Sequence, residues 1–488
     1  MAESREDALV TGTPTSGGGR RTAGHGRRRG GPSSTKGRRG PTSARSVALE
    51  ALTAVREQDA YANLVLPALL RRAQLPTRDA ALATELTYGT LRYQGLLDAV
   101  ITAAAGRPIE AMDGIAVDLA RLGAHQLLNL RVPSHAAVSE TVALARRRTH
   151  SGVAGLVNAV LRRVVETDRD GWIGRVTEGL DDTARLAVEH SHPSWIVSAF
   201  ADALAAAGRP ASELVGLLVS DNAPAAVTLA ARPGLGAEAE LAEAGASPGL
   251  MAPTAWRLSH GDPGDLAAVA DGSAAVQDEG SQLVALALAA APIDGTDLRW
   301  LDLCAGPGGK AGLLGALAGQ RGATLLAVET SAHRAELVRT SVRRLADSVT
   351  VRQADGRAIG AEQPGKFDRV LLDAPCSGLG ALRRRPEARW RRTPDDLPGL
   401  LTLQRELLDS AIAALRPGGL VAYVTCSPHL DETAAQVGPF ADGSLGVVAV
   451  DARPYLPGVP ELGAGPAVQL WPHVHDTDAM YLALFRKL

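Results

Sequence analysis

The chain has 488 residues, 45% of them hydrophobic and 21% charged, which is ordinary globular usage and enough for more than one core. Its net charge is −2, so the chain as a whole has no long-range pull on nucleic acid, and the distribution of charge matters more than the sum. No run of about 20 apolar residues marks a membrane span, and no apolar stretch near the start marks a secretory signal.

Residues 17–45 carry nine basic side chains (Arg20, Arg21, Arg27, Arg28, Arg29, Lys36, Arg38, Arg39 and Arg45) and no acid. With almost nothing apolar to bury, residues 1–45 are expected to form a disordered basic tail. Such a tail is either a solvated appendage or a non-specific tether for RNA. Residues 46–166 read as an all-α module. Leu156, Val157, Val160, Leu161, Val164 and Val165 share a helical stripe, as do Val47, Leu52 and Val55, and Pro67, Pro76, Pro108 and Pro133 punctuate the segments.

Residues 167–275 suggest a small α+β connector, with helices over 195–207 and 213–220 and a β-like run at 226–232. From 276 to 488 strands alternate with helices, the pattern of a parallel, doubly wound α/β sheet. Its strands are predicted at 298–305, 324–330, 349–355, 367–375 and 418–427, with a last one at 479–487.

Ligands of such sheets bind beyond the carboxyl ends of the strands. Asp302, Glu329, Asp355 and Asp373 stand there on four successive strands. One acid at a strand end is often a helix cap, but a series is harder to dismiss. The first strand runs into Cys304-Ala305-Gly306-Pro307-Gly308-Gly309-Lys310, which lacks both the P-loop and the G-x-G-x-x-G spacing. A glycine loop followed by an acid on the next strand instead suits a nucleoside-containing cofactor.

The three cysteines, Cys304, Cys376 and Cys426, are too few and too scattered for a disulfide framework or a zinc site, and they point to a reducing cytoplasmic setting. Adjacent parallel strands would bring Asp373, Cys376 and Cys426 together. Two thiols and a carboxylate at one cleft edge suit nucleophilic attack on an electron-poor ring, the alternative being a pair of buried core thiols.

DLCAGPGGK, Glu329, Asp355, DAPCSG and TCS, with QDEGSQ (277–282) and GLGALRRRPEARWRR (378–392), together resemble the Sun/Fmu family of RNA 5-methylcytosine methyltransferases. ELTYGTLR (85–92), ARLGAHQLL (120–128), PSHAAVSETVALAR (133–146) and GLVNAVLRR (155–163) resemble the NusB-like extension of its bacterial Sun/RsmB branch. The resemblance spans about residues 45–488.

It implies a NusB-like RNA-binding domain over 46–166, an RNA-binding connector over 167–275 and a Rossmann-like class I methyltransferase domain over 276–488. It also implies S-adenosylmethionine as cofactor and RNA, small-subunit rRNA by way of that branch, as partner. The cofactor loop maps onto Cys304–Lys310, the ribose acid onto Glu329 and the adenine-side acid onto Asp355. Asp373 corresponds to the residue between cofactor and cytosine, Cys426 to the nucleophile and Cys376 to the thiol that helps release product. On this reading a protonated Asp373 contacts the ring nitrogen, and either Cys376 or a water takes the carbon-5 proton.

The target base must leave its stack, which favours unpaired RNA. Arg383, Arg384, Arg385, Arg389, Arg391 and Arg392 are expected to touch phosphates, with Trp390 among them. The chain departs from the family at Gly306, where alanine is usual, at Pro428–Thr433 and at Thr477–Tyr481.

The alternative is an RNA-binding assembly or antitermination factor with a vestigial core, which failure to bind the cofactor would favour. A small-molecule methyltransferase leaves the helical module without a purpose. One chain carries every proposed part, so a monomer suffices, and the oligomeric state is not legible.

Overall fold

A computed structural model describes residues Ser43–Leu488, beginning at the capped end of a helix. Ser43 accepts from the Ser46 amide while the Ser46 hydroxyl accepts from the Ser43 amide, a capping box that starts the helix Ala44–Glu57. Arg45, counted above with the basic tail, is therefore helical, and its Nε donates to Gln126 Oε1 at 2.8 Å. The rest of the expected tail lies outside the described residues.

Further helices follow at Ala62–Ala73, Thr77–Arg92, Gln94–Ala105, Gly114–Leu128, Ser134–Arg148 and Ser151–Val164. The expected stripe is buried at Val157, Val160, Leu161 and Val164, but Val165 lies past the helix end and is exposed. Gly123 lets two of these helices cross closely, because a Cβ there would meet Leu161 Cδ1 at 2.5 Å.

The connector begins with four helices, Arg169–Val176, Asp182–Glu189, Ser194–Ala206 and Glu213–Asp221. A small antiparallel sheet follows, made of β1 (Val227–Ala231), β2 (Ala246–Pro248), β3 (Ala255–Leu258) and β4 (Ala274–Val276) in the order β2-β3-β1-β4.

The large sheet contains β5 (Arg299–Asp302), β6 (Thr324–Glu329), β7 (Val349–Gln353), β8 (Phe367–Asp373), β9 (Leu415–Thr425), β10 (Val447–Val450), β11 (Val468–Gln469) and β12 (Tyr481–Lys487). Its order is β10-β12-β9-β8-β5-β6-β7, with β11 paired to β12. Strands β5 to β9 pair in parallel, and β12 closes antiparallel on β9. The sheet is a doubly wound, Rossmann-like one with an antiparallel edge. Separate apolar clusters cover its faces, one with Trp300 and Leu313, the other with Phe367 and Tyr423. The chain winds from β5 through β6 and β7 on one side and through β8 and β9 on the other, so the topological switch lies between β5 and β8.

Candidate active site

At that switch β5 ends on Asp302, and its loop enters the helix Gly309–Gln320 through Gly308 at φ 111°. A Cβ on Gly308 would meet Ser341 Cβ at 2.8 Å, so the loop can lie this close to the neighbouring helix only with glycine there. Glu329, at the end of β6, accepts from the Gly306 amide and the Ser331 amide, both at 3.0 Å. Arg334 holds the same arrangement from outside, with Nη2 3.3 Å from Glu329 and 2.9 Å from the Gly306 carbonyl. A Cβ at position 306 would stand 2.2 Å from Glu329 Oε2, so this glycine lets the carboxylate fold onto the loop.

Asp302 is buried, and neither of its carboxyl oxygens makes a well-formed hydrogen bond. Burial, and then the charge of Asp373, push its pKa up to about 7 against the pull of Lys310. Lys310 Nζ donates to Asp373 Oδ2 at 2.8 Å. Burial alone would lower the Lys310 value, but Asp373 outweighs it and keeps the ammonium charged.

Asp355 stands apart from this group. It caps the helix Gly356–Glu362 and is half exposed, with its oxygens taken by Arg357 at 2.6 to 3.1 Å. Cys304 packs against the apolar cluster below the sheet, where burial and then Asp302 push its thiol well above the ordinary range.

The other two thiols meet. In register, Asp373 on β8 lies opposite Val424 on β9, so the two strands end side by side and their following loops converge. Cys376 Sγ and Cys426 Sγ are 3.5 Å apart. The hydrogen bond between the thiols lowers the Cys426 pKa despite burial, and the same bond with burial raises Cys376 well above its usual value. Either sulfur can donate across this contact, and the lowered value falls on Cys426. Gly380 holds the loop in place. Its amide donates to the Cys426 carbonyl at 2.8 Å, and a Cβ would stand 2.3 Å from the Ala479 carbonyl oxygen.

Sequence reasoning missed the residues beneath this pair. Glu432, fully buried, accepts from Ser377 N at 2.7 Å, from the Ser377 hydroxyl and from Gln404 Nε2 at 3.1 Å. Gln404 also holds the Pro375 carbonyl, and Tyr423 Oη donates to the Glu432 carbonyl at 2.9 Å. Arg384 pairs with Asp478, whose buried carboxyl is raised to about 6 by burial with Arg384 opposing. Both acids lie in the segments that depart from the family pattern, which was the signal available.

The arginine-rich segment is a correction. Arg383 and Arg389 are buried, and Arg389 donates to the carbonyls of Arg92, Ser191 and Asp221 and to Asn222 Oδ1. Arg391 donates to Val55 and Ala60 carbonyls, and with Arg385 it flanks the Tyr61 ring. Trp390 lies against Gly95. Carbonyls and carboxylates from separate parts of the chain occupy the guanidiniums of Arg383, Arg384, Arg389 and Arg391, so these four clasp the protein together instead of meeting phosphate. Among the described residues no group of three or more His, Cys, Asp or Glu could hold a metal ion, and no helix is long and apolar enough to cross a membrane.

Residues 287–486 match the family described as 16S rRNA methyltransferase RsmB/F, and residues 42–166 match the NusB family. A putative methyltransferase of Mycobacterium tuberculosis is 55% identical over 92% of this chain and 98% of its own. The probable ribosomal RNA small subunit methyltransferase B of Bacillus subtilis is 31% identical over 91% of this chain and 99% of its own. The crystal structure of PH0851 superimposes with a TM-score of 0.76 over 91% of this chain and 98% of that one, and at 23% identity the likeness concerns the fold.

Proposed function

This chain belongs to the RsmB/F family of 16S rRNA methyltransferases, and from that premise we propose that it methylates carbon 5 of a cytosine in small-subunit rRNA through a covalent bond to Cys426. The observation that carries this reading is the thiol pair at 3.5 Å beside the Lys310–Asp373 ion pair, at the switch point of the sheet.

The residues at the strand ends fit S-adenosylmethionine. Asp302 is a buried acid that meets the Cys304 backbone and has capacity left for an amino group, and Gly306 and Gly308 leave a cradle that side chains would fill. The loop Cys304–Lys310 with Glu329, Asp355 and Asp373 would hold it, Glu329 suiting the ribose hydroxyls and Asp355 the adenine edge once released from Arg357. The cofactor supplies a methyl group on a sulfonium centre.

Cys426 Sγ adds to carbon 6 of the cytosine while the Lys310–Asp373 pair gives a proton to ring nitrogen 3, which makes carbon 5 electron-rich. Lys310, kept charged by Asp373, carries that proton. After methyl transfer a water takes the carbon-5 proton, the pair recovers its own proton from nitrogen 3, and Cys426 leaves as a thiolate solvated by the Cys376 S–H.

The helical module and connector are read as the parts that hold RNA, through exposed side chains such as Arg146, Arg147, Arg148 and Arg162. Bisulfite sequencing of small-subunit rRNA from cells with and without this protein tests the reading. One cytosine should lose its protection in the deficient cells. An unchanged pattern overturns the proposal.

A further inference from the structure

The two thiols lie in hydrogen-bond contact, and the groups around them are unequal. On the Cys426 side the acids are neutralised, Asp373 by Lys310 and Asp478 by Arg384. On the Cys376 side stands Glu432, fully buried, bonded to the backbone amide of the very next residue and, among the described residues, in no ion pair. A buried carboxylate that no cation matches is costly, and this one is satisfied only by the Ser377 amide and hydroxyl and by Gln404. Its cost is hard to explain as packing alone, since Gln404 and Ser377 would serve a neutral amide as well.

We propose that Glu432 is a positioning residue whose unpaired charge keeps the proton of this contact on Cys376, leaving Cys426 as the ionised thiol. A negative charge beside Cys376 opposes a thiolate there more than at the farther Cys426, while Lys310 favours one at Cys426. The S–H of Cys376 then points at Cys426 Sγ, ready to stabilise the thiolate before addition and again as it departs. The same carboxylate ties the loop after β8 to the segment after β9 and so sets the distance between the thiols. Neighbouring charge is reflected in the elevated Cys376 thiol, in which Glu432 has a share after the Cys426 bond and burial.

The inference rests on Cys426 being the nucleophile, and the experiment separates the two. Limited alkylation of the whole protein with iodoacetamide, followed by peptide mass spectrometry, reads the thiolate at each site without RNA. The wild type should react at Cys426 in preference to Cys376; if it does not, the nucleophile assignment itself fails. In Glu432→Gln the Cys426-to-Cys376 ratio should fall about tenfold, the effect of roughly one pKa unit between neighbouring sites. Glu432→Asp keeps the charge on a shorter arm and should retain the wild-type preference. Gln404→Lys sets a cation against Glu432 and should lower the ratio as the glutamine does, which also covers a Glu432→Gln protein that does not fold. A wild-type ratio in Glu432→Gln or Gln404→Lys, or an equal fall in Glu432→Asp, overturns the proposal.

Discussion

At the scale of single residues, the two cysteines that meet differ in their surroundings. Cys426→Ser should abolish methylation, because a hydroxyl does not ionise at neutral pH, while cofactor binding measured by calorimetry stays within a few-fold. On the proposed reaction Cys376→Ala removes the donor to the departing thiolate, so a covalent protein–RNA adduct should accumulate on denaturing gels. Asp302 carries a stability cost through its burial. Its folded pKa of about 7 lies above the ordinary 3.8, so the folded state holds its proton more tightly. The stability it permits is complete below pH ~4 and is lost as pH rises towards 7. Asp302→Asn should therefore raise the melting temperature at pH 8, by the equivalent of about 1–3 kcal/mol, and change it little at pH 4.5. The same variant should weaken cofactor binding at least tenfold, the exchange of stability for function that a buried acid represents.

At the scale of elements, the site depends on two loops being pressed together where β8 and β9 end. Gly380 makes that possible, since its amide bonds the Cys426 carbonyl and its missing side chain admits Ala479. Gly380→Ala should push the loops apart by the bulk of one methyl group against backbone, which cannot rotate away. The expected result is a loss of about 1–3 kcal/mol by chemical denaturation and a more than tenfold fall in methylation rate, with cofactor affinity unchanged. The strand ends, the glycine loop and the cysteine loops were all legible in the sequence because period-2 and period-3.6 patterns locate elements, and a doubly wound sheet puts ligands at one edge. Strands β10 and β11 were not, because each is short and gains its place only by pairing with β12.

At the scale of the whole molecule, Ser43–Leu488 forms one compact unit, and the arginine-rich segment explains why. Arg389 reaches the helix Thr77–Arg92 and the connector at once, with Asp221 buried beside it. Burial lowers the Arg389 pKa to about 10 with Asp221 opposing, and it stays charged at neutral pH. Arg389→Met should cost about 3 kcal/mol in thermal or urea unfolding, because several buried carbonyls lose their donor together. The salt dependence of RNA binding should keep its slope, whereas each lost phosphate contact would reduce it by nearly one unit. Phosphate contact was the natural expectation for six arginines in fifteen residues, since a linear pattern of charge does not say what faces it.

What the sequence determined by itself is what local pattern and side-chain chemistry carry: the helical module, the doubly wound sheet, the acids at its strand ends and the two cysteines fifty positions apart. Only the tertiary structure decided how close those cysteines come and which charges surround each sulfur. It brings Glu432 onto the amide of Ser377, next to Cys376, sets Lys310 on Asp373, and turns Arg389 and Arg391 inward onto carbonyls. Strand and helix periodicity is a property of neighbours along the chain. The electrostatic setting of a thiol, or of a guanidinium, is a property of neighbours in space.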